Sequence, residues 1–552
     1  MPSANVSVKE LIERIKKLQA DRGNWEAWWQ DLAKYCIPHK AEITEKKSSG
    51  TKFDTDIYDS TARDSVEIFS AGLMGHLTSP SAPWLNVRHP DERVMKEKGV
   101  SEFFAMAGRK IMNVFHTSNF YPQLHEFYQD IPVFGTAGFY SEEDPEDVIR
   151  YYARNIKELL FELDDRGRVY RVYRIFEITA LQAWLRWGNE AGKTVIEAAT
   201  EKGKNPSQMF DFAQCVGPRD VRDPKKRDNR NMPFFSIWVN LKDQKKVGES
   251  GFEEFPFHIA RYTSTTNEKH GYSPAMKVLP DIKMANKIMY IMIRASLKAT
   301  DPPVMLPHSD YVLPLNFNPS GVNYRIQKSA TSSDEQIQVF DSKGNIPAGR
   351  ELLIDVREII KRGFFTDLFL MLAERKNMTA FEVAERVQEK MLVLGPVIGR
   401  LQNDLLQPII IRTFNILLRA GQLGELPPAL LKNPSYEIEY VSVLAKAQRF
   451  HEIRSIETYI GLVMQIAQAN PEALDKINVD EAIDRGADVL GIDPKLVNSG
   501  EVVKAIRQAR REMQEMQAKL QMMQMGAETL KTGGEAAEKL TNVGGQGGRA
   551  AA

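Results

Sequence analysis

The sequence predicts an α+β chain that is mainly helical, and three observations carry that prediction. Segments 7–35, 273–300 and 347–372 place apolar residues at the three- and four-residue spacing of a helix face. Between 132 and 260, short β-rich runs alternate with charged loops. Between 502 and 523 a strict heptad repeats: Val502, Ile506, Ala509, Met513, Met516, Leu520 and Met523. At 552 residues the chain has length for about three to four domain-sized units.

In chain order, Leu11, Ile12, Ile15 and Leu18 open the first helix, which continues to Trp25, Trp28 and Trp29. Three tryptophans in five positions carry too much apolar area to leave in water. Either the chain's own core or a subunit contact must cover them. A polar stretch follows, and a second helix is predicted from Ser60 or Thr61 to Leu77. Residues 101–131 read as helical. Within 132–260 the clearest strands are Val169–Ile178 and Phe234–Leu241.

The section 273–420 carries the most information. A helix opens at Ser273-Pro274, where proline's missing N–H does no harm. It stops at Asp301-Pro302-Pro303, and 301–346 reads as short strands and turns rich in Pro, Asn, Gly and Ser. A second helix is predicted from Pro347 to Leu372, with Leu353, Val356, Ile360, Phe364, Leu368 and Met371 on one face. The charged break AERKN (373–377) precedes a third helix that begins with the capping-box pattern Thr379-x-x-Glu382. That helix runs to about Ala420 and contains Pro396 and Pro408, so one or two kinks are expected. Helix resumes at 443–469 and 479–490, and the Gly/Ala-rich tail 526–552 is expected to be disordered.

Lys+Arg and Asp+Glu both number 73. A protein that grips DNA by bulk electrostatics is markedly basic, so any DNA contact here is local or weak. Cys36 and Cys215 exclude a disulfide scaffold and read as reduced, buried thiols of a cytosolic chain. The N-terminus lacks the apolar core of a signal peptide. The most apolar stretch, 404–418, is interrupted by Gln407, Pro408 and Arg412, so no membrane span is expected.

Signals of chemistry are poor. The nine histidines show no HExxH spacing, and there is no GxSxG elbow. SEEDPED (141–147) reads as a solvated acidic loop, and GPRDVRDPKKRDNR (217–230) as a solvated loop with no aromatic to stack a base. GNEAGKT (188–194) imitates a phosphate loop, but Trp187 stands where the first glycine belongs and the preceding LQAWLRW reads as helix. No enzyme activity, cofactor or metal is expected.

On the 273–300 helix, Lys283, Lys287, Arg294 and Lys298 fall within an arc of about 60°. Ile282, Ala285, Met289, Met292 and Ile293 lie on the opposite side and are expected to pack. The stripe could be a solvated face, or face phosphates, or face an acidic neighbouring helix.

Helix, β-rich insertion, helix, charged loop and long kinked helix is the order of elements in phage portal proteins. The stretches DIYDSTARDSVEIFSAGLMGHLTSPSAPWL (56–85), KHGYSPAMKVLPDIKMAN (269–286), FFTDLFLMLAERKNMTAFEVAERVQEKMLVLGPVIGRLQNDLLQP (364–408) and VSVLAKAQR (441–449) resemble the head-to-tail connector family of short-tailed, podovirus-type phages. The resemblance covers roughly residues 8 to 500; it departs at Val443, where family members often carry a proline. It implies a portal fold: a wing (1–272 and 380–440), two stem helices (273–300 and 347–372), a β-rich clip (301–346) and a channel loop (373–379). A helical crown (441–500) and a barrel or coiled-coil helix (501–525) would follow.

The same resemblance implies a homo-oligomer of twelve copies at one capsid vertex of the virion, made in the host cytoplasm. Double-stranded DNA would pass through its channel during packaging and ejection, with Glu374, Arg375, Lys376 and Asn377 nearest to it. Terminase, tail adaptor and ejection proteins, and the major capsid and scaffolding proteins, are the implied partners. Two other readings stay in view. A nucleotide-dependent packaging motor needs a true phosphate loop, and a coiled-coil scaffold or adaptor rests on the heptad alone.

Overall fold

The structure is a computed structural model that describes residues 7–46, 48, 50–52, 55–95, 97, 99–200, 205–226, 228–266, 268–300, 304–305, 338–339, 346–373, 393–432, 435–440, 457–468, 478–490, 497–498 and 502–523. The chain divides into two units, 1–447 and 448–552. The fold is mixed α and β, with helix predominating.

In the first unit, α1 (Val8–Cys36) serves two cores. Its first half lays Leu11, Ile12, Ile15 and Leu18 on one face of a five-stranded antiparallel meander. The meander runs β4 (Leu159–Leu163), β5 (Val169–Thr179), β6 (Met209–Pro218), β7 (Phe234–Asn240), β8 (Lys245–Phe252). Two short helices, α6 (Ala180–Trp187) and α7 (Lys193–Thr200), cover the other face with Ala180, Ala183, Val195 and Ala198. Both predicted strands are present, and α6 matches the helical reading of LQAWLRW, whereas α7 inside the β-rich stretch was not expected.

The main core gathers α2 (Thr61–Leu77), α4 (Val100–Thr117), α5 (Phe120–Phe134) and a helix over 393–419, here α11. Against it packs the antiparallel sheet β3 (Val148–Arg154), β2 (Thr136–Asp144), β9 (Phe257–Arg261). A short ladder, β1 (Leu85–Arg88) with β12 (Glu437–Tyr440), ties residue 85 to residue 440. The stretch expected to be helical, 101–131, holds two helices, because the chain turns at Ser118-Asn119. That turn stacks Phe115 on Phe120, centroids 4.1 Å apart.

The second half of α1 settles the tryptophans. Trp29 is fully buried and donates from Nε1 to the Phe134 carbonyl at 3.1 Å. Trp25 and Trp28 pack beside it against Tyr272. They belong to the chain's own core. In α11 a π turn, Gln402–Leu406, ends two residues before Pro408. Proline has no N–H to continue the ladder, and a widened turn absorbs that loss. Of the two candidate kink sites, the irregularity is at Pro408.

Charge inside the core is paired or neutral. The buried Arg412 guanidinium donates to Glu254 at 3.2 Å, and Arg419 bridges Glu254 and Glu143. The segment SEEDPED thus forms a β hairpin that supplies a partner for these arginines. His258 and His270 are buried, and each is held down to about 3, by desolvation first and by nearby Arg412 or Arg22 second. A histidine whose folded value lies below the unfolded value of about 6.5 binds protons preferentially in the unfolded chain. Stability contributed by these two sites is therefore complete above pH 6.5 and lost as the pH falls toward 3. By pH 5 each should cost ~2 kcal/mol. Denaturant midpoints measured at pH 7.5 and pH 5 should show the drop, and an unchanged or higher midpoint at pH 5 would count against it. Both cysteines are buried free thiols pushed up to about 12 by desolvation, as expected of inert thiols.

Candidate functional site

A two-helix hairpin carries exposed apolar and charged side chains side by side. Its first helix, α8 (Pro274–Thr300), starts in the core. Ser273 Oγ accepts from Met276 N at 3.0 Å and donates to the Val133 carbonyl at 2.8 Å. One buried hydroxyl thus caps α8 and fastens it to the end of α5. The strand-like turn before it runs so close to Gly135 that neither Gly135 nor Gly271 has room for a side chain. Gly135 also holds φ at +70°.

From Pro274 to Ala285, α8 buries one face among α1, α5 and α9 (Ile346–Gly363). The helices are joined across their far ends by a short antiparallel pair, Val304–Met305 with Gln338–Val339. That places a strand pair where the β-rich insertion was expected; residues 306–337 lie outside the described residues. α9 buries Leu353, Val356 and Ile360.

Two polar clamps fix the hairpin to the loop before α2. Arg357 reaches Asp59 through Nε and Nη2 at 2.8 and 2.7 Å. The other Asp59 oxygen accepts from Thr61 N at 3.0 Å. Asn286 accepts from Tyr58 N at 2.6 Å and donates to the Asp56 carbonyl at 3.0 Å. Sequence reasoning missed the roles of Arg357, Asp59 and Asn286, since a single charged or amide residue outside a motif gives no signal of its distant partner.

The predicted helix from 347 to 372 is broken. α9 ends at Gly363, and α10 (Thr366–Ala373) begins after Phe365, which sits at φ +56°. Gly363 packs against Val278 so tightly that no side chain fits. Phe364 then enters the core beside α8, and Phe369 enters the core beside α2. Two cores on two sides of the chain bend it; the apolar spacing alone could not show that.

The basic stripe is on the hairpin's surface. Lys283 pairs with Asp31 at 2.7 Å. Lys287 and Arg294 flank the Tyr290 ring at 5.5 and 5.6 Å, and Lys298 is exposed. Of the expected packing residues, Ile282 and Ala285 are buried and Met289 and Met292 half-buried. Ile293 is not: it is exposed with Met284, Ile291 and Leu297. The helix outruns the core at Ala285, and among the described residues its far half meets α9 and the loop before α2, where Tyr290 lies 5.0 Å from Tyr58. Leu352, Ile354 and Ile359 of α9 are exposed too.

Glu374, Arg375, Lys376 and Asn377 lie outside the described residues, as does the Thr379–Glu382 capping pattern. In the second unit, described helices span 457–468, Val479–Leu490 and 502–523. Arg507 pairs with Asp480 at 2.7 Å. All seven heptad residues are exposed in the single chain.

The imitation phosphate loop resolves clearly. GNEAGKT is helix, turn and helix, and Thr194 N and Oγ1 both donate to Asp243, at 3.2 and 2.8 Å. An internal carboxylate caps the helix where a phosphate loop would hold its anion. Among the described residues no group of acidic, histidine or cysteine side chains could hold a metal ion, and no helix is long and apolar enough to cross a membrane.

Among known proteins, residues 8–497 match the family described as bacteriophage head to tail connecting protein. The chain is 31% identical over 526 residues to a probable portal protein of Bordetella phage BPP-1, covering 94% of each chain. It is 30% identical over 538 residues to the portal protein of Salmonella phage epsilon15, covering 96% of each.

Proposed function

Because the chain belongs to the bacteriophage head to tail connecting protein family, we propose that it acts as a portal: copies close into a ring of about twelve at one capsid vertex. Double-stranded DNA enters and leaves through the ring's axial channel. The observation that carries this reading is the hairpin, which presents apolar and charged faces that one copy leaves in water. A surface of that kind on a long rigid element is suited to contact with further copies.

In this reading α8, α9 and α10 form the stem and the insertion between α8 and α9 is the clip that docks terminase and later the tail adaptor. Residues 373–379 project toward DNA. The exposed heptad of 502–523 meets parallel copies around the axis. The balanced charge suits a conduit, since every tight phosphate contact adds affinity and hence drag. The energy for packaging then comes from a separate motor. The packaging-motor alternative has lost its one motif, because Asp243 fills the place of the phosphate.

Electron microscopy of the purified chain tests this. Closed rings with a central hole are expected, near 750 kDa (on the order of twelve times the chain mass). Monomers and open filaments alone, under all conditions, would overturn it.

A further inference from the structure

The hairpin carries two charged arcs of opposite sign. On α9, Glu351, Asp355 and Glu358 fall within about 60° of one another. Opposite them lie the buried Leu353, Val356 and Ile360. Arg362 falls in the same arc and is paired with Glu358 at 3.3 Å, whereas Glu351 and Asp355 have no ion-pair partner among the described residues. On α8 the arc is basic, with Lys283 engaged by Asp31 and Lys287 and Arg294 beside Tyr290.

The direction of each arc follows from how the helices meet. Gly349 of α9 packs at Met292 and Gly363 at Val278. On α8, the side holding Val278 and Met292 is roughly 170° from the middle of the basic arc. On α9, the side holding the two glycines is roughly 130° from the middle of the acidic arc. The basic arc therefore faces away from α9, and the acidic arc away from α8.

The same two contacts set the heights. Each step forward along α8 is a step back along α9, so Lys283 stands level with Glu358, and Lys287 within a residue of the level of Asp355. Apolar residues border both arcs, Met284 and Ile291 on α8 and Leu352 and Ile359 on α9.

We propose that the basic flank of α8 in one copy docks on the acidic flank of α9 in the next, with the bordering apolar residues buried between them. The partner is a second copy of this chain. The contact is heterologous, joining two different surfaces, and such a contact closes into a ring when its rotation allows. The inference rests on the ring reading and adds to it which faces meet and why. Opposite charges at matched heights also set the register, and mismatched copies are repelled.

Two charge-reversed full-length chains test it, Lys287→Glu with Arg294→Glu, and Glu351→Lys with Asp355→Lys. The first has two acidic flanks and the second two basic ones. Each alone should need roughly a hundredfold more protein for half-assembly. Mixed in equal amounts, they should form rings in which the two alternate, seen by native mass spectrometry. A chain carrying all four substitutions is complementary again and should form rings by itself.

The inference is overturned if either reversed chain assembles like the parent, or if neither the mixture nor the fourfold chain recovers rings. It is equally overturned if the α8 variant forms normal rings that have lost their hold on DNA, which would turn the basic arc toward phosphates. If the parent chain forms no rings, the portal reading itself fails.

Discussion

Gly135→Ala is expected to lower stability by about 3 kcal/mol or more, and with it the yield of assembled protein. Gly135 ends α5 with φ at +70°, where a Cβ meets its own backbone. The greater cost arises across the turn. A methyl group there would overlap the Gly271 carbonyl, which is backbone and cannot rotate aside. The Gly135 carbonyl also accepts from Tyr262 N at 2.8 Å, so the segment is held from two sides. Two residues beyond Gly271, Ser273 starts α8 and reaches Val133 at the end of α5. Moving this turn loosens the base from which the hairpin projects. Gly23→Ala, in α1 with open space around it, is the control and should be neutral or slightly stabilising. Denaturant unfolding of both variants decides the matter; a Gly135→Ala chain as stable as the parent would contradict this view of the hairpin's base.

Removing residues 374–378 should abolish or severely reduce DNA packaging or retention while ring formation continues. Among the described residues, the hairpin contacts and the core are made without this segment, since α10 ends at Ala373. Arg375 and Lys376 are the segment's two cations. If they meet DNA in passing, their loss removes a local contact without touching assembly. Packaging assays on heads built with the shortened chain give the answer. Full heads that hold their DNA normally would refute a role for this loop.

Much of the fold is legible in the sequence where one residue type has one physical use. Ser273-Pro274 starts α8 as expected, because a hydroxyl cap and a proline in the first turn both suit an N-terminus. The strands at 169 and 234 and the helix from Thr61 to Leu77 follow from apolar spacing. Failures occur where distant packing overrules local pattern. The break at Phe364-Phe365 keeps the helical spacing intact, yet two cores pull the aromatic residues to different sides. Arg412 reads in the sequence only as an interruption of an apolar run, because its carboxylate partners are more than 150 residues away. The basic arc of α8 was visible on a helical wheel. The acidic arc of α9 was equally available there, but its meaning depends on the level at which the two helices meet.

The most direct test of the central claim is a cryo-electron microscopy map of the assembled chain, viewed down the ring axis. The account predicts a closed ring around an open channel, with α8 of each copy lying beside α9 of the next. A ring whose copies meet only through the β-meander or α1, with the hairpins standing apart, would contradict it.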